Sequence, residues 1–234
     1  MKRLLLFGLG LLALAIVAGR ASADSDTFEG VSFHPFTMAP AGEGCPPSSH
    51  TYAGLQLRDC DPVNLLFDGV ALWQVAGMLR DSGWTAIGLG SYQLLHLART
   101  EVPVGQTAAM YLSVAAGSEG CPAEGPGCRF HVRLWATGWR SVVGAVHFET
   151  AGLLGPHQLL QSWEFAESRV CNDLAAQGSL TCAPNSAFLA TQAAIQAGGN
   201  WRGLANDANA SVISRSLVAR FPMAPVRGDL QRGP

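Results

Sequence analysis

The sequence predicts an α+β domain with a mixed, mostly antiparallel sheet, two or three packed helices and disulfide cross-links. Three observations lead to this prediction: runs of alternating apolar residues, separate runs with helical periodicity, and an even set of cysteines behind an apolar N-terminal segment. The apolar content of 48% is enough to build a buried core. The chain length of 234 residues fits one domain of ordinary size once a leader is removed.

The N-terminus has the three-part pattern of a secretory signal peptide. Lys2 and Arg3 precede the apolar run Leu4–Ala18, and Ala21-Ser-Ala23 matches a cleavage site of small residues. The run is shorter than the roughly 20 apolar residues that a membrane-spanning helix needs. We therefore expect residues 1–23 to be cleaved and the mature chain to be periplasmic or secreted in a bacterium, with no membrane span after cleavage.

The charge of the predicted mature chain argues against polyanionic partners. Loss of Lys2, Arg3 and Arg20 leaves 12 of the 15 basic residues against 17 acidic ones, which gives a net charge of −5. The remaining arginines are scattered along the chain. Binding to nucleic acid or to anionic lipid needs a clustered basic surface, so neither partner is predicted.

All six cysteines lie beyond the predicted signal peptide. An even number of cysteines in an exported chain predicts disulfides. Many pairings are possible, and joining nearest neighbours is the simplest: Cys45–Cys60, Cys121–Cys128 and Cys171–Cys182. A metal site is the alternative, but the sequence has no C-x-x-C pair and no histidine at zinc-ligand spacing from a cysteine.

The chain is predicted to begin, after cleavage, with an irregular arm over residues 24–60, because this stretch is rich in glycine, proline and small residues. Residues 61–221 form the single domain, and residues 222–234 a flexible tail. The domain opens with a strand, Asp61–Phe67, followed by an amphipathic helix within Gly69–Ser82 that ends at Gly83.

The alternation of residues between two faces, which is typical of strands, is clearest over residues 129–150 and predicts a β-hairpin there. Phe130, Val132 and Leu134 share one face of its first strand, and the turn falls at Thr137-Gly-Trp139. The other predicted elements are a strand over 106–116, a disulfide-closed loop over 117–127, a helix over 158–176 that ends near Cys182 and Pro184, a helix over 187–197, a turn-rich stretch over 200–209 and a strand over 211–221.

Polar residues on the hairpin are the main candidates for chemistry. His131, Arg133 and His147 occupy the face opposite the apolar one, with Glu149 nearby. Four more candidates follow downstream: His157, Glu164, Glu167 and Arg169. If the later helix packs across the hairpin, these groups could form a pocket in which Arg133 holds a carboxylate or phosphate. Histidines and carboxylates could then serve acid–base chemistry or bind a metal, with His131, His157 and Glu167 as the ligand candidates.

The same residues have a structural explanation. His131 and Arg133 could face solvent on an open sheet, and Glu164, Glu167 and Arg169 could form a solvated helix face or an ion pair with Arg133. The sequence carries no H-E-x-x-H motif, no nucleophile elbow and no phosphate-binding glycine motif. No cofactor is predicted.

Tryptophans offer a weaker alternative. Trp135, Trp139 and Trp163 could stack against sugar rings, although aromatic residues more often build the core. A sugar-binding surface would need these rings exposed on one side of the molecule.

Several short motifs, taken in order, resemble the LssY C-terminal domain. They are Asp61-Pro-Val-Asn-Leu-Leu-Phe67, His131-Val-Arg-Leu-Trp135, Val143-Gly-Ala145, His157 and the stretch Glu164–Arg169. The resemblance covers roughly Asp61–Ala219 and implies a compact α+β domain of the cell envelope. It implies a polar set of His131, Arg133, His157, Glu167 and Arg169, but no reaction. The family also occurs attached to membrane phosphatase-like domains. No such domain is predicted within this sequence, so the resemblance does not imply phosphatase activity.

Together these observations predict an exported cell-envelope domain that acts as a binding or interaction module, with an envelope component or a small anionic ligand as partner. The alternative is a hydrolase acting on an envelope phosphate or ester, with His131 or His157 as the acid–base or metal-binding group and Arg133 holding the anion.

Overall fold

The computed structural model of the chain describes residues 25–40, 45–87, 93–151, 158–196 and 200–215. The predicted signal peptide, His157 and the predicted tail lie outside the described residues. In chain order, the described part forms β1 (Asp26–Phe28), β2 (Val31–Phe33), β3 (Phe36–Ala39), β4 (Pro47–Tyr52), β5 (Leu55–Pro62), β6 (Leu65–Asp68), α1 (Leu72–Asp81), β7 (Thr85–Ala86), β8 (Leu94–Leu95), β9 (Val104–Gly105), β10 (Ala108–Val114), β11 (Cys128–Gly138), β12 (Ser141–Thr150), β13 (Leu159–Leu160), α2 (Trp163–Ala176), β14 (Leu180–Phe188), α3 (Ala190–Gln196), β15 (Asn200–Trp201), β16 (Leu204–Ala205) and β17 (Asn209–Arg215).

The main sheet has eight strands in the order β14-β17-β6-β12-β11-β10-β7, with β13 also paired to β12. Its pairs are antiparallel except for β17 with β6. The predicted hairpin is β11–β12, in which Phe130 lies opposite Phe148 and His131 opposite His147. The α+β class and the mostly antiparallel sheet are therefore confirmed.

The sequence predicted an irregular arm over residues 24–60, and this prediction is wrong. The described part of this stretch forms β1 to β5, and three of these strands join β8 and β9 in a second sheet with the order β4-β5-β3-β8-β9. The side chains of Phe33, Phe36, Met38 and Leu57 are fully buried there. The strands are short and lie among glycines and prolines, so their alternation is hard to recognise before the buried partner is known.

Both faces of the hairpin are covered. Val132 and Leu134 pack with α1 and α2 through Val75 and Val170. On the opposite face a second apolar cluster joins Trp135, Val143 and Ala145 of the hairpin to Phe33 and Leu95 of the N-terminal half. The polar face that the sequence left open to solvent is therefore an interface between two layers.

The predicted strand Asp61–Phe67 is divided where the chain passes between the sheets. Strand β5 ends at Pro62 in the second sheet, and β6 begins at Leu65 in the main sheet. The side chain of Asn64 fixes this crossing, since its Oδ1 accepts from the Val146 N–H at 2.9 Å and its Nδ2 donates to the Val146 carbonyl at 3.1 Å. Asp61 is thereby held at the junction of the two layers.

The first predicted helix is confirmed as α1, and its stop is the one expected. Gly83 has a φ of +93° and its N–H donates to the Arg80 carbonyl, while Trp84 N–H donates to the Leu79 carbonyl. This pair of hydrogen bonds is a Schellman motif, which needs a residue that tolerates positive φ.

The second predicted helix begins five residues later than its predicted start at Gln158. Leu159 and Leu160 pair with β12, and Ser162 then caps α2 by accepting from the Phe165 N–H at 3.2 Å. After the helix the chain continues into β14 through Pro184, which lies in an irregular stretch of this edge strand. The alanine-rich helix is confirmed as α3, and the last strand as β17 as far as Arg215.

The three nearest-neighbour disulfides are confirmed: Cys45–Cys60, Cys121–Cys128 and Cys171–Cys182. The first links the segment before β4 to β5, the second closes the loop before β11, and the third ties α2 to β14. Among the described helices none has the length and apolar character needed to cross a membrane.

Candidate functional site

Four polar side chains of the hairpin lie together between the two layers. His131 and Arg133 alternate on β11, and His147 and Glu149 alternate on β12, so the period of two puts all four on one face. Each is at most 5% exposed. The solvent-facing alternative is therefore wrong for His131 and Arg133. The second sheet (β4-β5-β3-β8-β9), which we call the N-terminal sheet, covers this side of the hairpin.

Asp61 enters the same space from the end of β5. Its carboxylate accepts from Arg133 and also from Nη1 of Arg202, at 2.7 Å. Asp61 is fully buried, and burial by itself raises its pKa. The neighbouring His147, Arg133 and Arg202 outweigh burial, so the pKa of Asp61 lies well below its usual value.

His147 lies between two carboxylates. Its Nδ1 is 3.2 Å from Oδ2 of Asp61, and its Nε2 is 3.0 Å from Oε2 of Glu149. Burial lowers the pKa of His147, but Asp61 and Glu149 together raise it above the usual value. A carboxylate beside each ring nitrogen favours the protonated imidazole, which carries an N–H on both nitrogens.

Glu149 connects His147 to the outer edge of the group. Its Oε1 accepts from Nε of Arg129 at 2.7 Å and lies 3.8 Å from Nδ1 of His131. Burial raises the pKa of Glu149, but His147 and Arg129 reduce it to about 2. The guanidinium of Arg129 also stacks over the ring of Tyr111, 4.0 Å from its centroid.

These residues form one connected group, which we call the polar cluster: Asp61, Tyr111, Arg129, His131, Arg133, His147, Glu149 and Arg202. Tyr111 is half-buried, the side chains of Arg129 and Arg202 are each 17% exposed, and the other five members are buried. The named residues of the cluster supply three guanidiniums and two imidazoles beside two carboxylates.

The other predicted residues do not join the polar cluster. Glu167 is buried on α2 against Ser211, and its pKa rises to about 8, chiefly because burial disfavours the carboxylate. Arg169 pairs with Glu119 and Asp173 on the outer side of the helix, and Glu164 accepts from the N–H of Asp207. His157 lies outside the described residues.

The residues that could bind a metal in the structure differ from the predicted ligand set. Ligand atoms of His131, His147 and Glu149 lie within 4.8 Å of one another. The structure thus groups His131 with two other residues of the hairpin, whereas Glu167 of the predicted set is beside Ser211.

The predicted sugar-stacking surface does not form. Trp135 is fully buried in the second apolar cluster, and Trp163 is 1% exposed against Phe36. Trp139 is 86% exposed at the hairpin turn. These rings therefore do not share an exposed face.

Asp61, Arg129, Tyr111 and Arg202 are the members of the cluster that the sequence did not single out. Asp61 had one signal, a carboxylate at the start of an otherwise apolar strand. Arg129 and Tyr111 could have been found from strand parity, since Arg129 lies opposite Glu149 and Tyr111 opposite His131. Arg202 comes from a turn 141 residues after Asp61 and gave no local signal.

Comparisons with protein-family models, with curated proteins and with solved structures give no match to this chain. The resemblance to the LssY C-terminal domain therefore stays a prediction. The functional argument rests on the polar cluster itself.

Proposed function

We propose that this protein is a bacterial cell-envelope module that binds a small anionic ligand through a phosphate or carboxylate group held by the polar cluster. The observation that carries the proposal is the convergence of cationic groups in the cluster. The guanidiniums of Arg129, Arg133 and Arg202 lie together with the ring of His147, whose pKa is raised, around Asp61 and Glu149.

The effective dielectric is low in a protein interior, so an anion bound there interacts strongly with the cationic groups around it. Guanidiniums suit this task, because their donors match the oxygens of phosphate and carboxylate in pairs. Arg129 and Arg202 are partly exposed and so give the anion a route to the buried groups.

Export supports an envelope ligand over a cytosolic one. Three disulfides are characteristic of proteins in oxidising compartments. The apolar N-terminal segment has the pattern of a signal peptide, and the ordered motifs resemble an envelope domain family. The excess of acidic residues outside the cluster leaves extended polyanions as poor partners.

The proposal is tested with inorganic phosphate, sulfate and acetate as probes. We expect phosphate to raise the thermal midpoint of the mature chain and to bind with a measurable heat in titration calorimetry. Arg202→Gln and Arg129→Gln should weaken binding by about 1.5–3 kcal/mol each, the usual contribution of a hydrogen bond to a charged group. The matched control is Arg140→Gln on the exposed hairpin turn, which should bind like the wild type. Equal phosphate affinity in all three variants would contradict the proposal.

A second candidate function is a metal-assisted hydrolase, and the proximity of His131, His147 and Glu149 favours it. Asp61 would then orient His147 through Nδ1, as carboxylates do behind many metal-binding histidines. The metal would have to displace the proton of His147 and compete with Arg129 for Glu149, which is why we place it second.

Dependence on Zn²⁺ distinguishes the two candidate functions. Hydrolysis of p-nitrophenyl phosphate or acetate that depends on Zn²⁺ and disappears in His131→Gln would support the hydrolase. Phosphate binding that is unchanged by a chelator, together with no Zn²⁺-dependent turnover, would support the binding module.

A further inference from the structure

A groove lies between α2 and the loop that the Cys121–Cys128 disulfide closes, on the face of the hairpin opposite the polar cluster. Its volume is about 210 Å³. An apolar cavity of about 150 Å³ holds a benzene molecule, so this groove has room for an aromatic ring with a short side chain. The described residues that line it are Glu119, Phe130, Phe165, Ser168, Arg169 and Asn172.

One wall of the groove is a single face of α2. Phe165, Ser168, Arg169 and Asn172 are spaced by three and four residues, which places them in one row along the helix. The opposite face of the helix is buried in the main core, where Val170 packs. The row that lines the groove is therefore the part of α2 that the core does not cover.

Two phenylalanines form an aromatic surface inside the groove. The rings of Phe130 and Phe165 are stacked, with 5.6 Å between their centroids and an angle of 28° between their planes. Phe130 is 1% exposed and also packs against Phe148, so the core fixes its position. Aromatic faces attract both other aromatic rings and cations. The guanidinium of Arg169 already lies over Phe130, 5.6 Å from the ring centroid.

The charged groups at the rim of the groove favour a cation over an anion. Arg169 is held by two carboxylates, because Asp173 accepts from its Nε at 3.0 Å and Glu119 accepts from its Nη1 at 2.6 and 2.7 Å. The side chain of Glu119 is 48% exposed. A carboxylate offers roughly four acceptor positions, so Glu119 can accept from a second cation while it stays bonded to Arg169.

The loop that carries Glu119 is fixed relative to the helix. The Cys121–Cys128 disulfide joins its end to β11, and Nε2 of Gln161, just before α2, donates to the Gly120 carbonyl at 3.0 Å. Both walls of the groove are therefore in place before a ligand binds, which lowers the entropic cost of binding.

We infer that this groove binds a small aromatic molecule that carries a cationic group, such as an aromatic amine. The ring of the ligand lies against Phe130 and Phe165, and its ammonium group donates to Glu119 at the exposed rim. The inference is independent of the proposed anion-binding function, because the described lining of the groove shares no residue with the polar cluster and takes a ligand of opposite charge.

The test compares three probes on the mature chain with its disulfides formed, by saturation-transfer NMR and titration calorimetry. Phenethylamine has both the aromatic ring and the ammonium group. Phenylacetate has the ring with a carboxylate, and cyclohexylethylamine has the ammonium group without an aromatic ring. We expect phenethylamine to bind more tightly than either of the other two. If phenethylamine does not bind, or if either of the others binds as tightly, the inference is overturned.

Two substitutions assign the binding to the groove. Glu119→Gln should weaken phenethylamine binding by about 2–5-fold, the range of an exposed ion pair. Phe165→Leu should weaken it by about 2–12-fold, the range of an aromatic pair. The matched control is Glu124→Gln, which removes the same charge from an exposed position of the same loop and should bind phenethylamine like the wild type.

Thermal unfolding establishes that each variant is folded, and Glu119→Gln decides the question alone if Phe165→Leu is unstable. Equal affinities of Glu119→Gln and Glu124→Gln for phenethylamine would overturn the inference. Arg202→Gln, which tests the polar cluster, should bind phenethylamine like the wild type. Phosphate and amine titrations thus have separate readouts, so either proposal can fail alone.

Discussion

At the scale of single residues, His147 links the two carboxylates of the polar cluster. It contacts both carboxylates of the cluster, and each of those carboxylates is also bonded to arginine. Removing one partner of a buried charged group is costly, because the charge that stays behind has lost its compensation. His147, whose pKa is raised by these carboxylates, therefore stabilises the junction of the two layers and favours positive charge at the proposed anion site.

Replacement of His147 by glutamine is predicted to lower the free energy of unfolding by on the order of 3 kcal/mol at pH 6. The pKa of His147 is higher in the folded state than its usual value of 6.5. Its contribution is therefore fully present below about pH 6.5 and is lost as the pH rises through the folded-state pKa. Urea unfolding of the wild type and His147→Gln at pH 6 and pH 9 measures this contribution. The difference in free energy of unfolding between the two proteins should be smaller at pH 9 than at pH 6. A difference that does not change with pH would mean that the imidazole is neutral in the folded protein.

Glu167 behaves in the opposite way to the carboxylates of the polar cluster. Burial against Ser211 raises its pKa from 4.5 to about 8, so the side chain is protonated at neutral pH. The folded state then binds a proton that the unfolded state releases. The stability that this proton contributes is complete below about pH 4.5 and is lost as the pH rises through about 8.

Glutamine has the shape of a protonated glutamate and cannot ionise. We expect Glu167→Gln to be more stable than the wild type at pH 9, by on the order of 1–3 kcal/mol. The difference should shrink at pH 5. Denaturant unfolding at both pH values is the measurement, and Glu164→Gln on the same helix, half-buried and bonded to a backbone N–H, is the matched control. If Glu167→Gln were less stable than the wild type at pH 9, the pKa of Glu167 would not be raised in the fold.

At the scale of elements, the hairpin is packed on both faces, and Gly144 is where this packing is tightest. A Cβ atom at Gly144 would lie 3.0 Å from Cδ2 of Leu134, 3.2 Å from the Arg133 carbonyl oxygen and 3.3 Å from Cβ of Leu65. Two of these three neighbours cannot swing away, because they are a backbone oxygen and a Cβ. The absence of a side chain lets β6 approach β12 closely, which in turn positions Asn64 and Asp61.

Gly144→Ala is predicted to destabilise the protein by about 1–3 kcal/mol, the usual cost of overpacking a core. The control is Gly77→Ala within α1, where the added Cβ meets nothing within 4 Å. That substitution should stabilise the protein by about 0.5–1 kcal/mol, since alanine favours the helix over glycine. Chemical unfolding of both variants checks the pair, and a stabilising Gly144→Ala would show that the two strands separate easily.

At the scale of the whole molecule, the N-terminal sheet is a structural layer and not an appendage. It covers the polar face of the hairpin and contributes Asp61 to the polar cluster. Phe36 of β3 is fully buried and packs against Trp163 at the start of α2. The two halves of the chain therefore share a core.

Phe36→Ala is predicted to cost about 3–5 kcal/mol of stability, as for a phenylalanine removed from a core. Phe188→Ala is the matched control, because Phe188 lies on an edge strand and is 65% exposed. Its replacement should change stability by no more than about 0.5 kcal/mol. Similar small effects for both variants would indicate that the N-terminal layer is only loosely attached.

The elements with strong local signals could be predicted from the sequence. The hairpin had period-two alternation on both strands, and α1 had helical periodicity with Gly83 as its stop. Helix α2 was placed too early because Leu159 and Leu160 fit the helical period, although they pair with β12 instead. In each successful case the deciding contacts are local or lie between neighbouring strands of one hairpin.

Part of the candidate site could also be predicted from the sequence. His131, Arg133, His147 and Glu149 share a face by strand parity alone, and the sequence placed them together. It could not decide whether that face is buried, because alternating polar residues fit an exposed sheet equally well. It also could not connect Arg202 to Asp61, since nothing local relates two residues 141 positions apart.

The sequence by itself determined the α+β class and the hairpin, because these follow from periodicity along the chain. It indicated disulfides through an even number of cysteines, but nearest-neighbour pairing was only the simplest of many arrangements. Only the tertiary structure decided that the segment before Asp61 contributes a second sheet, that this sheet closes over the polar face, and that Asp61 and Arg202 complete the cluster. Burial and charge balance depend on which surfaces meet, and that is set by the packing of distant segments rather than by any local pattern.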